Sequence, residues 1–443
     1  MERLTIRGPA PPLTGRLRVP GDKSITHRAI LLGALADGTT EIRGYLDAED
    51  CWRTAAACRA LGVGVEGWGS PLLRVHGKGL RGLREAEGIL DAGNSGTTLR
   101  LLSGVLAAQP FLSILTGDAS LTRRPMGRII QPLRQMGANV WGRAGDQYPP
   151  LAIRGGPLRG IRHETPVASA QVKSALLLAG LYAEGPTTVV EPAPSRDHTE
   201  RMLRGFGHPV KAAGGSVMVT PVRSLAAVPV EVPGDFSSAA FFLVAACLVP
   251  GSRLTIAGVG LNPTRTGLLE VLQAMGAAVE VRDSREVCGE PAGDLAVTAG
   301  PLRGVSVGDA LIPRLIDEIP ILAVAAASAE GETEIRDAGE LRVKESDRIA
   351  ALAGELGRLG ADVAERPDGL TIRGGRPLAG ARCSSRGDHR VAMALAVAAL
   401  VARGETRIAD SACIGTSFPD FVSLLRTAAP ATDPRVEAGD PDA

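Results

Sequence analysis

The sequence predicts an α/β protein of two domains, each of three similar βαβαββ units with buried parallel helices, an inside-out α/β barrel. Three observations predict it. A pattern of polar loop, apolar helix, glycine-type stop and strand recurs six times along the chain. The helix of each copy is apolar nearly all round, which marks an interior element. Finally, 443 residues exceed what one hydrophobic core comfortably serves.

The copies begin at "GDKSITHRAILLGALADGTTEI" (Gly21), "GNSGTTLRLLSGVLAAQPFLSI" (Gly93), "ASAQVKSALLLAGLYAEGPTTVV" (Ala168), "GDFSSAAFFLVAACLVPGSRLTI" (Gly234), "LIDEIPILAVAAASAEGETEI" (Leu315) and "GDHRVAMALAVAALVARGETRI" (Gly387). A second, amphipathic helix follows in each, as in "TAAACRALGVGVEG" and "LLEVLQAMGAAVEV", and the first five end at a glycine before a strand. The sixth, "SFPDFVSLLRTAA", closes the fold. Three units per domain place one domain at 1–18 plus 232–427 and the other at 19–231, with "AAVPVEVPGD" (226–235) as a crossing point. From 428 to 443 proline, alanine and acid replace any periodic pattern, so a disordered tail is expected there.

Composition excludes several classes. A net charge of +1 gives no bulk field for nucleic acid or an anionic membrane, so any anion preference is local. The cysteines Cys51, Cys58, Cys247, Cys288, Cys383 and Cys413 form no C-x-x-C pair, and no two histidines stand at metal-ligand spacing. No metal site is expected. The opening residues lack a signal-peptide pattern, and no apolar run reaches spanning length uninterrupted, which points to the cytoplasm. "GVGVEG" (62–67) spells a dinucleotide fingerprint, but it leaves a helix for a strand, the reverse of the required order.

The six apolar helices all begin with chemistry-bearing side chains. Unpaired N–H groups and the dipole at a helix start favour an anion. Lys23, Ser24 and Arg28 stand at the first such start, Asn94, Gly96, Thr97 and Arg100 at the second, Ser169 and Gln171 at the third, and Arg390 at the sixth. "GDKS" is not a phosphate-binding P-loop, because Asp22 fills its obligatory glycine position. Capping by Asp22 and Ser24, with Lys23 in solvent, is the plain alternative. "LTRRPMGRI" (121–129) offers Arg123 and Arg124 as an anion clamp or a solvated pair. "GELRVKESDRIAAL" (339–352) sets Lys344, Glu345, Asp347 and Arg348 before one helix, either as a site or as pairing on a wet face. Asp317 and Glu318 head an enclosed helix, where a carboxylate can cap or, near lysines, take a proton from a hydroxyl. Asp388, His389 and Arg390 form one more polar trio, structural or functional.

Eight ordered motifs, "PGDKSITHRA", "GNSGTTLR", "RRPMGR", "ASAQVKSALLLA", "SRDHTERML", "LIDEIPILAVAA", "ELRVKESDRI" and "GDHRVAMALAVAAL", together resemble the EPSP synthase family of enolpyruvyl transferases over residues 5–427. The resemblance implies two domains closing around shikimate 3-phosphate and phosphoenolpyruvate, with 5-enolpyruvylshikimate 3-phosphate and phosphate as products and no metal or organic cofactor. It implies a monomeric cytoplasmic enzyme of aromatic amino acid biosynthesis, inhibited by glyphosate. Shikimate 3-phosphate would contact Lys23, Ser24, Arg28, Ser169, Gln171, Arg196, Asp317 and Lys344; phosphoenolpyruvate would meet Lys23, Gly96, Arg124, Gln171, Arg348 and Arg390. Asp317 is then the expected base, with Glu345 and Lys23 handling protons at the methylene and leaving group. At Gly96 a Cβ would intrude where phosphoenolpyruvate approaches the helix backbone, the position that affects glyphosate inhibition in this family.

Two positions depart from the family's usual pattern: Ser417 stands where many members have lysine before "FPD", and Glu340 replaces a frequent asparagine. The sister transferases acting on UDP-N-acetylglucosamine typically carry Lys-Asn in place of Lys23-Ser24 and a reactive cysteine in the loop matching "ASLTRRPMG", where this chain has none. A non-catalytic repeat scaffold would use the polar helix starts as caps alone, and would have little use for so many cations.

Overall fold

A computed structural model describes residues 2–438. The fold is mixed α/β, and the chain divides into two compact units: Gly21–Val232 with Val287–Glu290, and Met1–Pro20 with Pro233–Glu286 and Pro291–Ala443. The visit of Val287–Glu290 to the first of these has no signature in the sequence pattern.

Each unit contains three four-stranded sheets with one recurring pairing scheme. The strand that follows each apolar helix lies second in its sheet. It pairs in parallel with a short outer strand, as Asp37–Arg43 does with Val230–Glu231 and Glu332–Ile335 with Ser306–Val307. On its other side it pairs antiparallel, as with Leu72–Lys78 and Gly369–Arg373. In the last sheet that antiparallel neighbour is Glu2–Gly8, so a strand from far upstream completes the sixth repeat.

The six apolar helices are Lys23–Leu35, Gly96–Leu106 and Ala170–Gly180 in one unit, and Phe236–Leu248, Ile319–Ser328 and His389–Val401 in the other. They are buried over nearly their whole length, which is why they show no polar face, and each set of three fills its own hydrophobic core. Small residues permit close approach: a Cβ on Gly104 would sit 2.1 Å from the Ala175 carbonyl oxygen of the adjacent helix. Five of the six are capped by a side chain at the preceding residue, namely Asp22, Ser95, Ser169, Asp235 and Asp388. Each such cap is worth about 1 kcal/mol. The exception corrects an expectation: neither Asp317 nor Glu318 caps Ile319–Ser328, whose Pro320 lacks one N–H, and Glu318 instead accepts a hydrogen bond from Ser237 Oγ.

The amphipathic helices begin a few residues earlier than their apolar stripes, as Glu49–Ala60 and Arg348–Arg358 do. Gly64–Glu66 is a strand leaving such a helix, so no dinucleotide loop exists there. The final helix, Phe421–Ala428, is pinned by Phe421, whose ring packs on Phe241, Phe242 and Phe418 at 5.5–6.1 Å between centroids. Beyond it, the disorder expected over 428–443 does not hold as far as Ala438. Pro430–Thr432 forms a turn and Arg435–Ala438 pairs with the free edge of Glu2–Gly8, where Arg3 meets Glu437 at 2.7 Å. An open strand edge outweighed the poor local propensity. The expectation for residues 439–443 lies outside the described residues.

Candidate active site

In the unit built on Gly21–Val232, the expected residues gather at the starts of its three buried helices. Asp22 accepts from the Ile25 N–H at 2.9 Å, and this fixes the backbone from which Lys23 and Ser24 project. Lys23 is not a solvated side chain: its Nζ lies 2.9 Å from Asp50 Oδ2. Asp50, which sequence reasoning missed, is buried at the head of the next helix.

Arg28 is enclosed one turn further on. Its guanidinium donates to Thr199 Oγ1 at 2.6 Å, the Ser24 carbonyl at 2.9 Å and Ser174 Oγ at 2.7 Å. Burial lowers its pKa to about 10 against the pull of Glu200 and Asp22, with Arg196 adding to the lowering, so it stays cationic at neutral pH. Two guanidiniums close enough to repel one another form a ready seat for a dianion.

The second and third helix starts are joined by one chain of bonds. Arg100 Nη1 donates to Gln171 Oε1 at 2.6 Å, and Gln171 Nε2 donates to Thr97 Oγ1 at 2.9 Å. Beside them Arg124 donates to Asn94 Oδ1 at 2.6 Å and Ser120 Oγ at 3.2 Å. Of the two adjacent arginines, Arg123 is exposed and Arg124 is buried, so the pair divides between the two readings. Pro125 precedes the helix Gly127–Gln135 and does not open it. Gly96 is the first residue of its helix; a Cβ there would lie 2.7 Å from Arg100 Nη1 and 3.5 Å from Arg124 Nη1.

The other unit brings together every residue expected from it. Asp317 is surrounded by three cations: Lys344 Nζ at 3.5 Å, Arg348 Nη1 at 3.4 Å and Arg390 Nη2 at 3.7 Å. Arg390 Nη1 also donates to the Asp317 carbonyl at 2.9 Å. Arg348 binds Glu345 Oε2 at 2.6 Å and Asp388 at 2.8 and 3.3 Å. Burial opposes its charge, but Asp388, Glu345 and Asp317 outweigh burial and raise its pKa above that of a free guanidinium. The wet-face pairing considered for Lys344 to Arg348 is therefore not what forms, since Arg348 is 1% exposed. Asp388 serves twice, capping His389–Val401 through the Arg390 N–H at 2.9 Å while holding Arg348. Within the Asp388–His389–Arg390 trio, the Asp388 carboxylate reaches back to the arginine of another helix.

A carboxylate among three cations, partly open to solvent, can accept a proton from a hydroxyl while the cations hold anionic groups next to it. Helix starts carrying Lys23, Arg28 and Gln171, with Arg124 on the loop beside them, can hold phosphate and carboxylate groups.

The same fold occurs in the enolpyruvyl transferase NikO from Streptomyces tendae, at a TM-score of 0.80 and 21% identity, with 99% of each chain covered. The architecture is thus shared with that protein. A structure of EPSP synthase from Acinetobacter baumannii superposes at a TM-score of 0.88 with 44% identity, covering 99% of this chain and 100% of that one. The 3-phosphoshikimate 1-carboxyvinyltransferases of Synechococcus sp. (strain JA-3-3Ab) and Desulforudis audaxviator are 58% and 56% identical, covering 94% and 95% of this chain and 95% and 98% of theirs. The family model for EPSP synthase (3-phosphoshikimate 1-carboxyvinyltransferase) matches residues 8–425, and the chain belongs to this family.

Proposed function

We propose that the protein transfers the enolpyruvyl group of phosphoenolpyruvate to the 5-hydroxyl of shikimate 3-phosphate, giving 5-enolpyruvylshikimate 3-phosphate and inorganic phosphate on the route to chorismate and the aromatic amino acids. The observation that carries this reading is Asp317 set among Lys344, Arg348 and Arg390 in a chain of this family. Shikimate 3-phosphate is held by Lys23, Ser24, Arg28, Ser169, Gln171, Arg196, Asp317 and Lys344, and phosphoenolpyruvate by Lys23, Gly96, Arg124, Gln171, Arg348 and Arg390.

Protonation of the methylene carbon by Glu345 or Lys23 makes C2 cation-like. The 5-hydroxyl attacks it as Asp317 removes the hydroxyl proton, forming a tetrahedral adduct. Loss of a methyl proton and of phosphate restores the enol double bond, with Lys23 and the arginines stabilising charge on the departing group. No cofactor takes part in this scheme. Each unit is an inside-out barrel of three repeats around its buried helices, a reading supported by the sixfold pairing scheme. The enzyme acts as a cytoplasmic monomer; no helix among the described residues is long and apolar enough to cross a membrane.

Phosphate release tests the reaction. Purified protein given both substrates should release phosphate, and omission of either should abolish it. Release that is independent of shikimate 3-phosphate, or that requires UDP-N-acetylglucosamine as acceptor, would overturn the assignment.

A further inference from the structure

Three charged side chains are sealed inside the Gly21–Val232 unit just below the start of the helix Ala170–Gly180. Lys173 Nζ lies 2.8 Å from Glu191 Oε2 and 2.8 Å from Glu200 Oε1, and none of the three side chains exceeds 3% exposure. Such a cluster is poor value as glue, because desolvating ions costs about what their attraction returns and apolar residues of like volume would serve as well. Its use lies in what else it touches.

Glu191 holds two stretches of backbone. Its Oε1 accepts from the Ser169 N–H at 3.1 Å and its Oε2 from the Ser195 N–H at 3.4 Å. Lys173 adds a bond from Nζ to the Ser195 carbonyl at 3.3 Å. Ser169 is the cap of Ala170–Gly180, and Ser195 directly precedes Arg196. One carboxylate therefore sets the spacing between two segments whose side chains are both assigned above to shikimate 3-phosphate. Glu200 binds the same lysine without bridging those segments. Its Oε1 meets Lys173, and its Oε2 makes no hydrogen bond among the described residues. Burial works against the Lys173 charge, yet Glu200 and Glu191 outweigh it and raise its pKa, so the lysine stays protonated and Glu191 stays fixed.

We infer that Glu191, neutralised by Lys173, is a positioning residue that sets Ser169 and Arg196 for the phosphate of shikimate 3-phosphate. The inference rests on the function proposed above. Its test is steady-state kinetics of the full chain as wild type, Glu191→Gln and Glu200→Gln, with equilibrium binding of shikimate 3-phosphate and of unphosphorylated shikimate.

Glu191→Gln replaces one charge-assisted acceptor and should raise KM for shikimate 3-phosphate about tenfold or more. The kcat should stay within about threefold, because neither segment carries the reacting groups, and KM for phosphoenolpyruvate, which meets only Gln171 of these segments, should rise by clearly less than that for shikimate 3-phosphate. Shikimate binding should hardly change. Glu200→Gln, equally buried on the same lysine, should lower Tm but, since it takes a negative charge away from Arg28, should raise neither KM. Should Glu191→Gln not fold, the triple variant K173M/E191Q/E200Q leaves no member of the trio as an unpaired ion and carries the same expectation. A wild type that turns over shikimate 3-phosphate, with Glu191→Gln leaving its KM unchanged or moving both KM values alike, overturns this inference alone. So does Glu200→Gln matching Glu191→Gln. A wild type with no such turnover overturns the proposed function and this inference with it.

Discussion

Arg348 Nε lies 2.8 Å from Asp388 Oδ2, and neither side chain is exposed by more than 1%. Removing one partner strands a buried charge, so Asp388→Ala should cost about 3–5 kcal/mol, read by chemical denaturation. The pair also fixes a pH dependence. Burial alone would raise the Asp388 carboxyl, but Arg348 beside it outweighs burial and holds its pKa below the ordinary value. Its stabilisation is therefore complete above the unfolded value of about 3.9 and is lost as pH falls through the folded value. Wild-type Tm should fall steeply in that acid range and that of Asp388→Ala less so; parallel profiles would contradict the assignment.

Asp317→Asn keeps the shape of the side chain and removes its basicity. If Asp317 takes the hydroxyl proton, kcat should fall by about 10²–10⁴ with the KM values changed far less. Phosphate release at saturating substrate is the measurement. A variant that keeps a tenth of wild-type kcat would remove Asp317 from that role.

Gly96→Ala presses a methyl group onto Arg100, since the new Cβ would stand 2.7 Å from its Nη1. The guanidinium is the far end of a flexible side chain and can move, but its 2.6 Å bond to Gln171 goes with it. KM for phosphoenolpyruvate should rise about threefold to thirtyfold, the loss of one charged hydrogen bond in part or whole. Glyphosate, which competes with phosphoenolpyruvate if the family's behaviour holds here, should inhibit the variant more weakly than wild type. Unchanged inhibition would sink the claim.

His27 is buried behind Lys23 and Arg28, its Nδ1 2.7 Å from Thr54 Oγ1. Burial, then Lys23 and Arg28, push its pKa well below the ordinary value, so the folded protein keeps it neutral where the unfolded chain takes a proton. Stability is complete above about pH 6.5 and declines below it, by up to about 1.4 kcal/mol per pH unit from this one residue. Denaturation of His27→Asn between pH 7 and pH 5, measured beside wild type, should show this part of the slope gone.

The six apolar helices were legible because total burial leaves a run of Ala, Leu and Val that no surface helix shows. The residues around Asp317 were legible for another reason: they stand at the heads of those helices in short motifs, so local sequence announces them. What local sequence does not carry is the partner met across the fold. Asp50 reads as one more acid at a helix start, and nothing near it in the chain names Lys23. Glu191 sits in an ordinary loop after a strand; one backbone partner, Ser195, is four residues on, but the other, Ser169, lies 22 residues back at the start of a helix. The strand Arg435–Ala438 is composed like a tail and becomes a strand only because an edge is open to receive it.

That edge belongs to a strand synthesised long before either of its neighbours. Glu2–Gly8 pairs with Gly404–Ala409 on one side and Arg435–Ala438 on the other. At about 5–20 residues per second, roughly 20–80 s of synthesis separate it from these partners. Over that interval its unsatisfied backbone is a hazard for mispairing, and the unit it belongs to cannot be completed in the order it is translated. Only when Gly404–Ala409 and Arg435–Ala438 have been made can both edges of this first strand be paired.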